Sequence, residues 1–331
     1  MPPVLLPVRN AEDTLDRALA SLWRQTRPDF EVIAVDDGST DRSGEILAAH
    51  ARRESRLRLL PGGAGLVAAL ETARRTARSP YLARMDADDI CHPDRFRRQV
   101  EYLDAHPGIA ALGSRVALFP GHSLGAGWRR YADWINGLLT PEDHRREIFI
   151  ESPLAHPSVL LRAEAMEAVG GYREVPWAED YDLWLRLDAV GWGLAKVPAT
   201  LLAWRQTATR HSLTAAKYRH DAFLSARAWF LARHPALAAG RVAIWGAGRT
   251  GRRLTRKLRG QGVRVVGFYD VDSRKIGRRV EGAPVRAWTD LARSNGVPLV
   301  VAVGTPGARD RIRPEILRRG YREGMDLLFA A

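Results

Sequence analysis

The sequence predicts an α/β chain in two parts, and three observations carry that reading. Short apolar runs alternate with helical patterns from Val4 to Leu82, the mark of a parallel sheet covered by helices. A second series of strand, glycine-rich turn, helix and strand opens at Val242. Charge divides the chain at the same place: residues 1–239 carry 31 Lys+Arg against 30 Asp+Glu, whereas residues 240–331 carry 20 against 8. A length of 331 residues accommodates two domains, and 46% apolar residues suffice to give each a core. The single Cys91 excludes an internal disulfide framework and a Cys-rich zinc site. No uncharged apolar run is long enough to span a bilayer, and Arg9 and Glu12 follow Val4–Val8 too closely for a secretory leader. The expected location is cytoplasmic, with peripheral contact at the inner face of a membrane left open.

Taken in order, Val4-Leu5-Leu6-Pro7-Val8 reads as a buried strand. Asn10 stands where it can cap a helix carrying Leu15, Ala18, Leu19 and Leu22 at helical spacing. Glu31 to Val35 is the next strand, which completes a parallel βαβ unit. Its end, Asp36-Asp37-Gly38-Ser39-Thr40-Asp41, either presents carboxylates to a nucleotide or simply caps the helix from Ser43 to Arg53. Leu57 to Leu60 is a third strand. Gly62, Gly63 and Gly65 then let the backbone turn tightly ahead of a helix from Leu66 to Ala77, whose amino end suits a phosphate. The stretch Tyr81-Leu82-Ala83-Arg84-Met85 is a short apolar run that ends in the carboxylates Asp86, Asp88 and Asp89. Carboxylates this close repel one another unless a cation sits among them, and hard divalent ions take oxygen ligands. On the triplet alone, Asp88 or Asp89 serves equally as a cap for the helix that opens at Pro93 and stops before Pro107-Gly108.

Farther on, Ile148 to Pro153 and Pro157 to Leu161 read as strands, with His156 between them. Gly170-Gly171-Tyr172 reads as a helix stop. Glu179 and Asp180 open a helix from Tyr181 to Val190, either as acids favoured by its dipole or as a functional pair able to take a proton. Leu213 to Arg233 reads as another helix, which is a packed connector or an element lying on a membrane surface.

The segments LLPVRNAEDTLDRALASLWRQT, EVIAVDDGSTDRS, Gly65 to Leu70, YLARMDADDICHPDRFRRQVEYLDAHP and AEDYDLWLRL, in that order, resemble the family 2 glycosyltransferases with the GT-A fold. The resemblance spans roughly residues 3 to 205. It implies a nucleotide-sugar-binding domain with a mostly parallel, mixed sheet flanked by helices. It also implies a nucleotide-diphosphate-sugar donor, Mg²⁺ or Mn²⁺, inversion at the anomeric carbon, and a glycan or lipid-linked acceptor in surface-polysaccharide synthesis. By position, Pro7, Val8, Arg9 and Asn10 would line the nucleotide site, with Asp37 on the base. Gly65 and Arg84 would face the donor. Asp86 and Asp88 correspond to the DxD motif, with Asp88 the nearest metal ligand and Asp86 closer to ribose or phosphate. His156 and Ser158 fall on the acceptor side, Asp180 is the base, and Glu179 stands beside it. Trp204-Arg205 and Arg210-His211-Ser212 resemble the basic segment that closes over donor phosphates. The QxxRW motif of processive polymer synthases is missing, so single-sugar transfer is expected.

The last part reads differently. Val242 to Trp245 is a strand, Gly246-Ala247-Gly248-Arg249-Thr250-Gly251 opens a helix, and a strand from Val263 to Tyr269 ends at Asp270. Glycine spacing, context and the strand-end acid fit the Rossmann fingerprint, which makes Gly246, Gly248, Gly251 and Asp270 a second candidate nucleotide site. The segment VVGFYDVDSRKIGRRVEGAPV resembles the small nucleotide-binding domains that accompany polysaccharide-building enzymes. The expected boundaries are 1–205 for the GT-A domain, 206–239 for a helical connector and 240–331 for the Rossmann-like domain. An NAD(P)-linked redox or regulatory protein centred on this last part is the competing reading. Nucleic-acid binding by its excess of Arg lacks a supporting aromatic-interleaved motif.

Overall fold

The computed structural model describes residues 2–120, 125–206, 215–291 and 296–331. Two compact units emerge. The first comprises Met1–His144, Ser152–Val175 and Glu179–Thr214; the second takes Arg145–Glu151, Pro176–Ala178 and Ala215–Ala331. The stretch Arg210-His211-Ser212 lies outside the described residues, as does Leu213.

Eight strands form the sheet of the first unit: β1 (Pro3–Val8), β2 (Glu31–Asp36), β3 (Leu57–Pro61), β4 (Tyr81–Arg84), β5 (Ile90–Cys91), β6 (Ile109–Phe119), β7 (Leu160–Arg162) and β8 (Gly193–Arg205). Their order is β3-β2-β1-β4-β7-β6-β8-β5. The half from β3 to β4 is parallel, while β7 runs antiparallel to both β4 and β6. Val4, Leu5 and Leu6 of β1 and Val32, Ile33, Ala34 and Val35 of β2 are wholly buried, as parallel strands covered on both faces must be. Strand β1 lies between β2 and β4, so the strand order reverses there; in open α/β sheets, ligands bind outside the carboxyl ends of the strands at such a point.

Helices α1 (Leu15–Trp23), α2 (Ser43–Arg53), α3 (Leu66–Thr76) and α4 (Arg95–Ala105) belong to this half, and α5 (Ala126–Gly137), α6 (Pro141–Glu147), α7 (Ala163–Ala168) and α8 (Glu179–Ala189) follow. Two expectations are corrected. Asn10 does not cap α1, which starts at Leu15; its side chain instead accepts the Thr40 N–H at 2.8 Å. Ile148 to Pro153 is not a strand: the apolar run is buried in a turn after α6, closed by the Ile150 N–H on the Glu147 carbonyl at 2.8 Å.

Buried polar braces fix the end of β4. The Arg95 guanidinium of α4 donates to the carbonyls of Arg84 at 2.8 Å and Val159 at 3.0 Å. Gln99, one turn on, donates to those of Leu112 and Ser158, each at 2.8 Å. Satisfied in this way, groups that would be costly to bury hold β4, β6 and the turn before β7 in one arrangement.

The second unit carries a six-stranded sheet of β9 (Arg241–Trp245), β10 (Arg264–Asp270), β11 (Arg279–Val280), β12 (Ala283–Ala287), β13 (Leu299–Val301) and β14 (Leu327–Phe329). Its order is β11-β12-β10-β9-β13-β14, parallel except for the β11–β12 hairpin. The helix His220–Leu231 buries Leu224, Ala226, Phe230 and Leu231, and its Asp221 pairs with Arg253 at 2.8 Å and Lys257 at 2.7 Å on the helix Arg249–Gly260. It packs as part of this unit. Among the described residues no helix is long and apolar enough to cross a membrane.

Candidate active site

At the end of β1 the chain turns through Asn10, whose φ of 49° lies in the left-handed region that Asn tolerates better than most residues. Its N–H donates to Ser39 Oγ at 3.1 Å, so the loops after β1 and β2 are tied together. Pro7 and Val8 end the strand, and the Asp37 N–H donates to the Val8 carbonyl at 2.8 Å. Asp37 is buried, and its Oδ1 accepts the N–H groups of Gly63 and Gly65, each at 2.9 Å. Its Oδ2 stands 4.0 Å from the exposed Arg9 guanidinium. Half of this carboxylate thus shapes the glycine turn. Gly65, at φ 96°, then starts α3. Gly62 leaves no room for a side chain, since a Cβ there would come within 2.8 Å of the Asp36 carbonyl oxygen.

At the end of β4, Asp86, Asp88 and Asp89 each bring a carboxylate oxygen within 4.8 Å of the others. Their surroundings differ. Asp89 is wholly buried and accepts the Arg205 N–H at 2.7 Å, while the Arg205 side chain donates to the Asp88 carbonyl at 2.8 Å. Arg205 accordingly secures this turn from the end of β8, and its guanidinium lies over the Phe119 ring at 4.5 Å. Asp86 and Asp88 are half-buried, and Asp86 is ion-paired with Arg84. An all-oxygen donor set with two partly exposed carboxylates fits a hard divalent cation, which keeps its remaining positions for water and phosphate. Among the described residues this is the one such cluster.

Asp180 lies in the first turn of α8, half-buried, with the Tyr181 N–H 2.7 Å from its Oδ1. Burial, and then the adjacent Glu179 carboxylate, push its pKa up to about 7; the Tyr181 amide and Arg84 act against that rise. Arg84, itself buried, is thus paired with Asp86 and within electrostatic reach of Asp180. The two acidic groups, far apart in sequence, are thus both within electrostatic reach of one guanidinium.

His156 also reaches this centre. It sits in a single turn of 3₁₀ helix, and its Nε2 is 2.8 Å from the Tyr172 hydroxyl. Burial, with the Glu179, Asp180 and Glu71 carboxylates, raises the Tyr172 phenol pKa against the pull of Arg84, so the hydroxyl stays protonated. Ser158 does not join them. Its hydroxyl is wholly buried and donates to the Ala155 carbonyl at 2.7 Å, which makes it a brace for the turn and not an acceptor-side group. Tyr172 is the position that the sequence undersold, because Gly170-Gly171 in front of it signals only a helix stop. Arg205, singled out by resemblance to a segment that closes over donor phosphates, here holds the aspartate turn.

In the second unit, Gly246 at φ 108° has no space for a Cβ, which would lie 2.8 Å from Val303 Cγ2. Gly251 is tighter, at 1.8 Å from the Gly246 carbonyl oxygen, whereas a Cβ on Gly248 would meet nothing within 4 Å. Asp270 is buried, accepts the N–H groups of Ala247 at 2.8 Å and Asp272 at 2.9 Å, and pairs with Lys275 at 3.1 Å. Its carboxylate is engaged with its own loop.

Comparison with known proteins gives the following. Residues 4–170 match the family model described as glycosyl transferase family 2. The amylovoran biosynthesis glycosyltransferase AmsE of Erwinia amylovora is 30% identical over 207 residues, which is 61% of this chain and 75% of that protein. Among solved structures, S. aureus TarS 1-349 in complex with UDP-GlcNAc superposes with a TM-score of 0.57 at 18% identity, over 80% of this chain and 82% of the other. The mannosyltransferase PcManGT from Pyrobaculum calidifontis, in complex with GDP-Man and Mn²⁺, gives a TM-score of 0.50 at 20% identity, over 72% and 63%. At such identities the structures show a shared fold.

Proposed function

Because this chain belongs to glycosyl transferase family 2, we propose that it moves a single sugar, with inversion, from a nucleotide-diphosphate donor to a glycan or lipid-linked hydroxyl in surface-polysaccharide synthesis. The observation that carries this reading is the aspartate cluster at the end of β4, with Asp180 within electrostatic reach of the same Arg84 that pairs with Asp86. The region outside the carboxyl ends of β1 and β4 takes the nucleotide, bordered by Pro7, Val8, Arg9, Asn10, Asp37 and Gly65. Asp88 and Asp86 hold Mg²⁺ or Mn²⁺, which when bound offsets charge on the diphosphate. Arg84 turns the Asp86 carboxylate and adds positive charge beside it. Asp180 takes the proton of the acceptor hydroxyl while that oxygen bonds to the anomeric carbon on the face opposite the departing diphosphate. Glu179 keeps Asp180 basic by like-charge repulsion. His156 borders the acceptor.

The glycine turn after β9 is assigned to a nucleotide or nucleotide sugar in a Rossmann-like second unit. Support comes from the strand order and from Gly246 and Gly251, which admit no side chain. The engaged Asp270 favours phosphate contact there over ribose recognition.

A thermal-shift screen of UDP-, GDP- and dTDP-sugars with and without Mn²⁺ tests the main reading, since a ligand that binds only the folded state raises its melting point. One donor should stabilise the chain in a Mn²⁺-dependent way, and Asp88→Ala should lose that metal dependence and about 10²-fold in transfer. Stabilisation by NAD(H) alone, indifferent to metal, would transfer the function to the second unit.

A further inference from the structure

Tyr172 occupies a place that a helix stop does not require. The turn Gly170-Gly171-Tyr172 joins α7 to α8 with both glycines in the left-handed region, at φ 79° and 68°. Two buried ionic assemblies hold it from opposite sides. From α3, Glu71 accepts the Tyr172 N–H at 2.7 Å and is gripped by Arg74 through bonds of 2.8 and 2.9 Å. From α8, Arg186 donates to the carbonyls of Val169 at 2.6 Å and Gly171 at 2.8 Å while pairing with the wholly buried Asp182 at 2.7 Å. At Gly171, φ 68° strains any L side chain, and a Cβ would sit 2.7 Å from Arg74 Nε, so the Glu71–Arg74 pair would have to shift. Buried ion pairs pay a large desolvation cost and add little stability over apolar packing. Two of them around one short turn fix where the next side chain goes.

That side chain reaches into the centre. The hydroxyl of Tyr172 meets His156 Nε2 at 2.8 Å, and the imidazole stands edge-on to Trp184 at 5.9 Å and 83°. Trp184 lies one turn beyond Asp180 on α8. The imidazole is therefore seated between a hydroxyl and an indole, both anchored to the helix that carries the candidate base.

We propose that Tyr172 is a positioning residue for sugar transfer, holding His156, and with it the acceptor side of the site, in register with Asp180. The inference rests on the glycosyltransferase reading for its consequence, but the Tyr172–His156 link stands on its own. Removing the hydroxyl alone leaves the ring packed and the turn braced, and takes from the imidazole its 2.8 Å partner at Nε2. Misplacement of an acceptor by as little as an ångström lowers turnover by about 10²-fold.

The test is Tyr172→Phe, read in two ways. On the resting chain, without donor or acceptor, the ¹⁵N signals of the His156 imidazole should move, while the melting point stays within a few degrees of the parent's. In turnover, kcat should fall between about 10- and 100-fold with donor KM within twofold, and Tyr172→Phe combined with His156→Ala should lose no more than the worse single variant. Unchanged imidazole signals overturn the link, whether or not any sugar is transferred. An unchanged kcat, or losses that multiply in the double variant, overturns the positioning role.

Discussion

Both sheets end a central strand beside a glycine-rich turn with an acid close by, yet the two units treat those charges oppositely. In the second unit, Asp270 is met by two backbone N–H groups and Lys275. Its neighbour Asp272 is held well below the ordinary carboxylate range by a hydrogen bond from the Arg274 side chain and then by the Arg274 amide. In the first unit, three carboxylates crowd within 4.8 Å, and Asp180 is raised to about 7 with a second acid beside it. Folding alone does not favour such crowding, and perturbed groups of this kind cluster at functional sites. Under the proposed function, the crowded acids belong to the reacting end and the satisfied ones to architecture. Asp37 stands between the two extremes, with one oxygen spent on Gly63 and Gly65 and the other toward Arg9.

The sharpest way to break this contrast is to remove the conflict at Asp180. Asp180→Asn should lower transfer by about 10³-fold, the range that general-base catalysis supplies, with donor binding and fold kept. Wild-type turnover in that variant would reduce Asp180 to a first-turn acid serving the helix dipole.

A smaller effect follows from pH. A base must be ionised, so kcat/KM of the wild type should rise about tenfold per pH unit up to about 7 and then level. Stability runs the other way. A carboxyl whose folded pKa exceeds its unfolded value contributes stability at low pH, and that contribution is lost as pH rises through the folded pKa. Asp180→Asn should therefore melt higher than wild type at pH 8 and no higher at pH 4. A profile flat between pH 5 and 8 would remove the conflict from the mechanism.

Much of this was legible because parallel strands announce themselves as unbroken apolar runs: β1, β2, β3 and β4 fall within a residue of their expected bounds. The DADD turn was visible as a cluster of acids, but on the triplet alone a helix cap served equally well, and only the ordered segments around it pointed to a metal. Strands β6 and β8 were not legible. Their long pairing contains register shifts, at Ser114/Arg115 among others, and Gly113 and Pro198 interrupt any periodic pattern. Nor could the sequence show what Tyr172 touches, because Glu71 lies 101 residues before it and His156 is brought over by a separate turn. The Asp270 reading shows the opposite limit: an acid at the right place in a fingerprint says nothing of whether its own loop has already claimed it.

The smallest effect, and the one that most directly probes the satisfied side, is that of Asp270→Asn. The amide keeps one acceptor oxygen where the carboxylate had two, so its NH₂ must face either the Ala247 or the Asp272 N–H, and Lys275 loses its counter-charge. A buried donor left facing a donor costs about 1–3 kcal/mol, enough to lower the melting of the second unit by a few degrees. Sugar transfer, which uses other acids, should stay within twofold. Melting followed by circular dichroism alongside a turnover assay separates the terms. Should Asp270→Asn leave the melting point untouched and instead abolish nucleotide binding by the second unit, Asp270 would belong to a ligand after all. The strand-end acids of the two sheets would then be alike, and the difference between them would lie in which ligand each unit takes.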